Sequence, residues 1–441
     1  MPTPWSPEQV LAVAPDAASV AAGRKLSGPA SWSGTGASAT PHVLWGLCAG
    51  SGKNPYQTVV DLAAPAYKCS CPSRKFPCKH ALGLLLLWSG GGVPEQDAPS
   101  DFAADWLAAR EKRAARPATE ESGGAPADPA AAARRAAQRA DHVAGGVAEL
   151  DLWLRDLART GLAGADRAGY SLTEPVAARL VDAQAPGLAS AVRQLSTVAA
   201  SGDGWPGRLL EELALLRLLV AAHGRVDALP TDLVTTVRTR VGYPVRTDDV
   251  LAVPPVRDRW DVLSLHDATE GRLTVRRVHL RGVASRRSVL VLSFAAGQQA
   301  LDASLVPGTS IDADIHLYPG AVTLRGIVGT RHGEPAPLGG APGENLADVV
   351  VRWSAAVAAD PWTTEIPVVL DDVTVLPSAD GTTTGWAVVD PTGSTLPLCE
   401  HDSLWVLLAV AGGHPLTVVG DLQHDVLRAR SVRTPEGLVS L

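Results

Sequence analysis

The spacing of apolar residues changes character three times along the 441 residues of the chain. SPEQVLAVA and DAASVAAGRKL place theirs at helical intervals, and Ser6, Pro7 and Glu8 supply a cap, a first-position proline and a first-turn acid for the former. The polar stretch SGPASWSGTGASAT follows as a separator. HVLWGLCAGSGKNPYQTVVDL then reads as a hairpin, because its arms are rich in Val, Leu, Trp and Tyr and the GSGKNP between them holds turn residues. AYKCSC adds a third short strand, and ALGLLLLW, apolar on every side, predicts a buried helix.

Residues 90–130 hold a Gly-Gly-Gly run, an amphipathic piece around DFAADWLAAREKRAAR and the segment ARPATEESGGAPADPA, whose composition buries little surface. A linker with one helix is expected over 93–130, after an N-terminal unit over 1–92. Runs such as VAELDLWLRDLA, TEPVAARLVDA and WPGRLLEELALLRLLVAAH give 131–243 a helical period, hence an α-helical domain. Further on, GRLTVRRVHL, SVLVLSF, SIDADIHLY and AVTLRGIV are short runs of strand formers, which predicts β-rich domains over 244–345 and 346–441. In the last of these, three strands, a helix and two strands follow the order of a five-stranded OB barrel, a pattern that other small barrels also fit.

Composition adds two constraints. A hydrophobic fraction of 46% suffices for several cores, and a chain this long divides into two to four domains of about 100–200 residues. The start MPTPWSPEQV lacks a basic and then apolar leader, and no apolar run reaches the roughly 18 residues of a membrane span, so a cytoplasmic protein without membrane contact is expected. The net charge of −7 is uneven: residues 1–92 hold seven Lys/Arg against three Asp/Glu, or +4, which leaves −11 for the rest. Only the N-terminal unit should attract an anion.

Of five cysteines, three fall with a histidine inside CSCPSRKFPCKH. In a reducing compartment such a cluster points to a metal before a disulfide. Cys69, Cys71, Cys78 and His80 make a complete Cys3His set for one Zn2+. Cys69 and Cys71 lie two apart on an extended segment, and Cys78 and His80 close the site from the start of the apolar helix. Four protein ligands leave no exchangeable position, which favours a structural over a catalytic ion. Scattered buried thiols are the alternative, but the lysines and prolines between these residues are poor core material. Cys48 and Cys399 stand alone in apolar runs and read as buried thiols.

The spacing C-x-C-x6-C-x-H, preceded by a strand and followed by an apolar helix, resembles the SWIM-type zinc finger, and LCAGSGKNPYQTVVDLAAPAYKCSCPSRKFPCKHALGLLLLW looks like its bacterial, actinobacterial-like members. The resemblance covers about residues 40–90 and implies zinc ligation at Cys69, Cys71, Cys78 and His80. It also implies contact with DNA or protein, since such fingers accompany chromatin remodellers, transposases and recombination-associated proteins. The expected fold class is therefore multidomain α+β: a small N-terminal zinc-stapled β-hairpin/helix finger, a central α-helical domain and C-terminal β-rich domains, with an OB-like barrel as one reading of the last.

From Leu62 through Pro94 there is no acidic residue, and Lys68, Arg74, Lys75 and Lys79 lie in that window. These four are the candidate nucleic-acid contacts, chiefly to backbone phosphate; so few contacts give low-affinity, salt-sensitive binding. Their alternative role is to solvate the finger or offset its thiolates. Other sites fail on inspection. AGSGKNPY lacks a P-loop glycine and its Ser/Thr and joins two strands, no nucleophile-elbow or zincin motif occurs, and Asp248-Asp249 and Asp371-Asp372 read as surface solvation. His223 and His279 have no ligand-spaced partner. A non-enzymatic zinc protein that docks nucleic acid or a protein partner is expected. The acidic remainder supports the alternative, a pure adaptor of a multiprotein or ATPase complex.

Overall fold

A computed structural model describes residues 5, 7–14, 17–50, 54–62, 66–73, 77–114, 129–270, 273–296, 301–379, 385–401 and 403–441. The chain is mixed α+β, with an N-terminal sheet, a central helical region and C-terminal sheets. Among the described residues no helix is long and apolar enough to cross a membrane.

The N-terminal unit comprises α1 (Pro7–Ala12), α2 (Ala17–Arg24), β1 (Trp32–Ala39), β2 (His42–Cys48), β3 (Tyr56–Asp61), β4 (Ala66–Cys69), α3 (Lys79–Ser89) and α4 (Asp101–Ala114). The four strands pair antiparallel in chain order. Strand alternation sends Leu44 and Val60 to one face, where they bury Leu82, Leu84, Leu85 and Trp88 of α3, while Val43, Trp45 and Val59 face the other way. Because α3 has the sheet on one side and α1 and α2 on the other, its apolar surface is covered all round. Gly83 makes that possible, since a Cβ there would lie 2.7 Å from Leu26 Cβ.

Two expectations change here. The polar separator contains β1, whose Ser, Thr, Gly and Ala residues lack apolar alternation; it is recruited by hydrogen bonding along β2. The helix expected in a linker, α4, packs Phe102, Ala103, Trp106 and Leu107 on the second face of the sheet. An isolated sheet with Val43, Trp45 and Val59 outward would leave that face wet, and α4 supplies the apolar stripe that dries it.

The helical region consists of α5 (Pro129–Thr160), α6 (Ala165–Ala168), α7 (Tyr170–Asp182), α8 (Pro186–Ala199), α9 (Trp205–His223), α10 (Thr231–Val241) and α11 (Thr247–Leu251). Val143, Leu150, Leu180, Leu188, Val192, Leu209 and Val237 are in its core. Trp362 enters the same core from a loop far along the chain and donates from Nε1 to the Leu215 carbonyl at 2.8 Å, beside an Arg240–Asp360 ion pair at 2.7 Å.

The first C-terminal sheet has β5 (Val256–Glu270), β6 (Leu273–Gly282), β7 (Ser288–Ala296), β8 (Thr309–Leu317), β9 (Arg325–Arg331) and β10 (Ala336–Pro337), in the order β10-β8-β5-β6-β7-β9. Pairing of β8 with β9 closes the sheet on itself, and β7–β9 is its parallel pair. Trp260, Val262, Leu280 and Ile315 fill the interior. Then come α12 (Leu346–Ala359), β11 (Ile366–Leu376), β12 (Ala387–Val389), β13 (Thr395–Pro397), α13 (Leu404–Ala411), β14 (Leu416–Gln423), β15 (Val426–Thr434) and β16 (Gly437–Ser440). Their order is β13-β12-β11-β14-β15-β16, and a parallel bridge from Leu398 to Leu427 brings the end of β13 to β15.

The two sheets meet over Leu263, Val369 and Val419. Glu344 sits at this junction between Arg281, 3% exposed at its side chain, and Arg352, at 3.3 and 2.8 Å. Asp371 is correspondingly not surface solvation: it accepts from Gly343 N at 2.6 Å and Thr417 Oγ1 at 2.7 Å, tying the loop before α12 to β14. His279 is buried, with neither ring nitrogen hydrogen-bonded among the described residues. Val306, from the loop before β8, packs into the core under α3, and Gln9 Nε2 donates to Gly308 O at 3.4 Å.

Candidate metal centre

The site is assembled where β4 ends and α3 begins. Cys69 closes β4 opposite Thr58, whose Oγ1 lies 3.3 Å from the Cys69 sulfur. Ser70 N donates to Gln57 O and Gln57 N donates to Ser70 Oγ, which fixes the chain as it leaves the strand toward Cys71. Cys78 occupies the N-cap position of α3 with extended backbone, and His80 is in the first turn. The core contact of the apolar helix thus sets the second pair of ligands against the first.

The ligand atoms of Cys69, Cys71, Cys78 and His80 all lie within 4.8 Å of one another, with His80 Nδ1 3.7 Å from Cys69 Sγ and 3.9 Å from Cys78 Sγ. Tetrahedral zinc with its usual bond lengths sets sulfurs about 3.8 Å apart and sulfur and nitrogen about 3.5 Å apart. The observed set fits. Cys78 and His80 are buried at 1% and 5% exposure, while Cys69 and Cys71 are half-buried.

The three thiols influence one another's protonation. A hydrogen bond from the Cys78 thiol holds Cys69 well below the usual thiol range, against the opposing effect of burial. The same shared proton, together with burial, pushes Cys78 far up, and burial raises Cys71. Cysteine ligates zinc as the thiolate, so binding of the ion at this cluster would displace the thiol protons.

Beside the ligands an open cavity of about 480 Å³ is lined by Leu26, Ala49, Gly50, Tyr56, Cys71, Pro72, Ser73, Lys79 and His80. The Tyr56 ring lies 4.8 Å from the His80 ring, inclined by 37°. Lys79 and Lys68 are both exposed, the latter paired with Val59 across β3 and β4. Arg74 and Lys75 lie outside the described residues. Tyr56 and Thr58 were missed by a reading centred on cysteine spacing, yet the β3–β4 pairing places both beside the ligands. Cys48 is buried, as its apolar run suggests, and Cys399 is half-buried.

Residues 58–88 match the SWIM zinc finger, and residues 138–241 match the SWIM-associated four-helix bundle domain. No curated protein and no solved structure gives a significant match. The second match falls on the helical region from within α5 to the last residue of α10. Sequence spacing, strand-to-helix setting and clustered donor atoms agree on one conclusion: the chain carries a SWIM zinc finger whose Cys3His cluster fits one structural zinc.

Proposed function

We propose that this is a non-enzymatic protein of a reducing, cytoplasmic setting, in which the zinc finger docks nucleic acid mainly through backbone phosphates. The observation that carries the reading is the 480 Å³ cavity at the zinc ligands, with an aromatic wall at Tyr56 and an exposed ammonium at Lys79. Zinc with three thiolates and a neutral imidazole bears a net charge of −1, so the flanking lysines decide the local sign. The strand orders beyond residue 255 add support. Taking β5 to β9 as strands one to five gives the ring 1-2-3-5-4, and β11 to β15 repeat it with α13 before the fourth strand. We take both sheets as OB-like barrels, an architecture used for oligonucleotides among other ligands.

The test is a salt titration of oligonucleotide binding by the full chain and by a Lys68→Ala/Lys79→Ala variant. Binding should be measurable near 50 mM salt, depend little on sequence, and lose about one unit of log–log salt slope per lysine removed. Zinc content should stay at one, since neither lysine is a ligand. No binding by the full chain, or equal binding and slope in the variant, removes the reading and leaves the adaptor role.

A further inference from the structure

The first C-terminal sheet carries a second feature with the same chemistry. Phe294, near the end of β7, is 48% exposed, an unusual placement for a large aromatic ring. Arg325 opens β9, and its guanidinium carbon lies 5.6 Å from the Phe294 ring centre and 4.1 Å from that of Tyr318. Tyr318 is held beside it by a hydrogen bond from its backbone N–H to the Arg325 carbonyl at 2.9 Å. No carboxylate among the described residues pairs with Arg325, and its Nε is buried without a hydrogen-bond partner. The Arg325 guanidinium thus lies over two aromatic rings, and its charge has no ion-pair partner among the described residues.

The surrounding charge is as informative. Residues 273–301 and 315–333 contain no Asp or Glu; Arg276, Arg277 and Arg281 of these segments are neutralised by Asp267, Glu365 and Glu344 from elsewhere, which leaves Arg286, Arg287 and Arg325 as the charge this face can offer. This lies within a portion of the chain whose net charge is negative. Arg286 and Arg287 are exposed at the turn that leads into β7. At about 3.3 Å per residue, β7 runs some 20 Å from that turn to Phe294. Leu290 and Leu292 lie half-buried between them.

We infer that the β7–β9 face, through Phe294, Arg325 and Tyr318, is a stacking site for single-stranded nucleic acid. The inference rests on the nucleic-acid reading above and extends it to a site remote from the zinc. Bases present their faces only when unpaired, and each face can lie on an aromatic ring or an Arg plane. A duplex keeps its faces internal and offers only edges and phosphates. An acidic peptide would satisfy Arg325 but leave the exposed ring of Phe294 unused.

Binding of a 15-nucleotide oligo-dT and of a hairpin duplex is compared at one low salt concentration, using the full zinc-loaded chain. Phe294→Ala should weaken oligo-dT binding about tenfold and leave the duplex unchanged. Phe294→Tyr should restore the oligo-dT affinity. Arg325→Lys keeps the charge but loses the plane, and should also weaken oligo-dT. Emission from a Phe294→Trp variant should fall on adding oligo-dT, a readout independent of how the alanine variant folds. Wild-type binding that Phe294→Ala does not change, or unchanged emission from Phe294→Trp, overturns this inference and leaves the finger reading intact. Absence of any binding by the wild type overturns both.

Discussion

At the zinc finger, four ligand atoms come together from twelve consecutive residues. At the junction of the two C-terminal sheets, Glu344 meets Arg281 from 63 residues before it and Arg352 from eight residues after it. Both are polar clusters set in apolar surroundings, but they solve the cost of burial differently. The finger exchanges protons for a divalent cation and carries its counter-charge with it. The junction matches fixed charges made by separate elements, and each is stable only while the others are present. A local cluster survives rearrangement of the rest of the molecule; a distributed one reports it.

The sharpest way to break this contrast is to remove the metal. Structural zinc in finger peptides contributes about 10–16 kcal/mol near neutral pH, so Cys71→Ser with His80→Ala should take zinc from one per chain to none and unfold the segment around residues 40–90. Elemental analysis and limited proteolysis check it, with 138–241 expected to resist cleavage while the finger is cut. Cooperative unfolding of both regions in one step would mean that the finger, through Val306 and Gln9, is inseparable from the rest.

A smaller loss is expected at the junction. Glu344→Ala strands two arginines, one of them almost fully buried, and should cost about 3–5 kcal/mol in thermal or denaturant unfolding without changing zinc content. If the loss is under about 1 kcal/mol, the junction is as solvent-screened as a surface pair.

The smallest effect per unit of perturbation separates the two regions by pH. Burial, with Arg281 and Arg352 nearby, lowers His279 to about 3, and burial with Arg430 and Arg277 lowers His266 to about 4. Each is depressed below its unfolded value near 6.5, so the unfolded chain binds the extra proton. Stability from these groups is present above about pH 6.5 and falls as pH drops toward 4, by about 1.4 kcal/mol per pH unit for each histidine. Denaturant unfolding of the C-terminal sheets between pH 7 and 4.5 reads the slope, and His279→Leu should remove roughly half of it. An unchanged slope would show that carboxylates, not this histidine, set the acid response.

The legibility of the molecule followed the same division between local and distributed. Cys69 to His80, the buried ALGLLLLW helix and the β2–β3 arms are encoded within a few residues, where spacing alone fixes which side chains meet. Strand β1 was not visible, because its small and hydroxyl residues owe their strand to pairing with β2. Helix α4 looked like a linker because an amphipathic stripe does not say which surface it will cover. The grouping of Phe294, Tyr318 and Arg325 depends on β7, β8 and β9 becoming neighbours, and one of those pairings is parallel, with no hairpin turn to announce it.

Val306 under α3 has a consequence for the order in which the protein is made. At about 5–20 residues per second, the ribosome adds Val306 roughly 11–45 seconds after Leu82, the residue whose core it completes. During that interval the newborn finger has its strands, its helix and its ligands but a gap in its hydrophobic floor. Metal capture adds to the packing of α3 and α4 on the sheet, which is already within reach of the emerging chain, so zinc supply during translation should raise the share of the protein that reaches its final form.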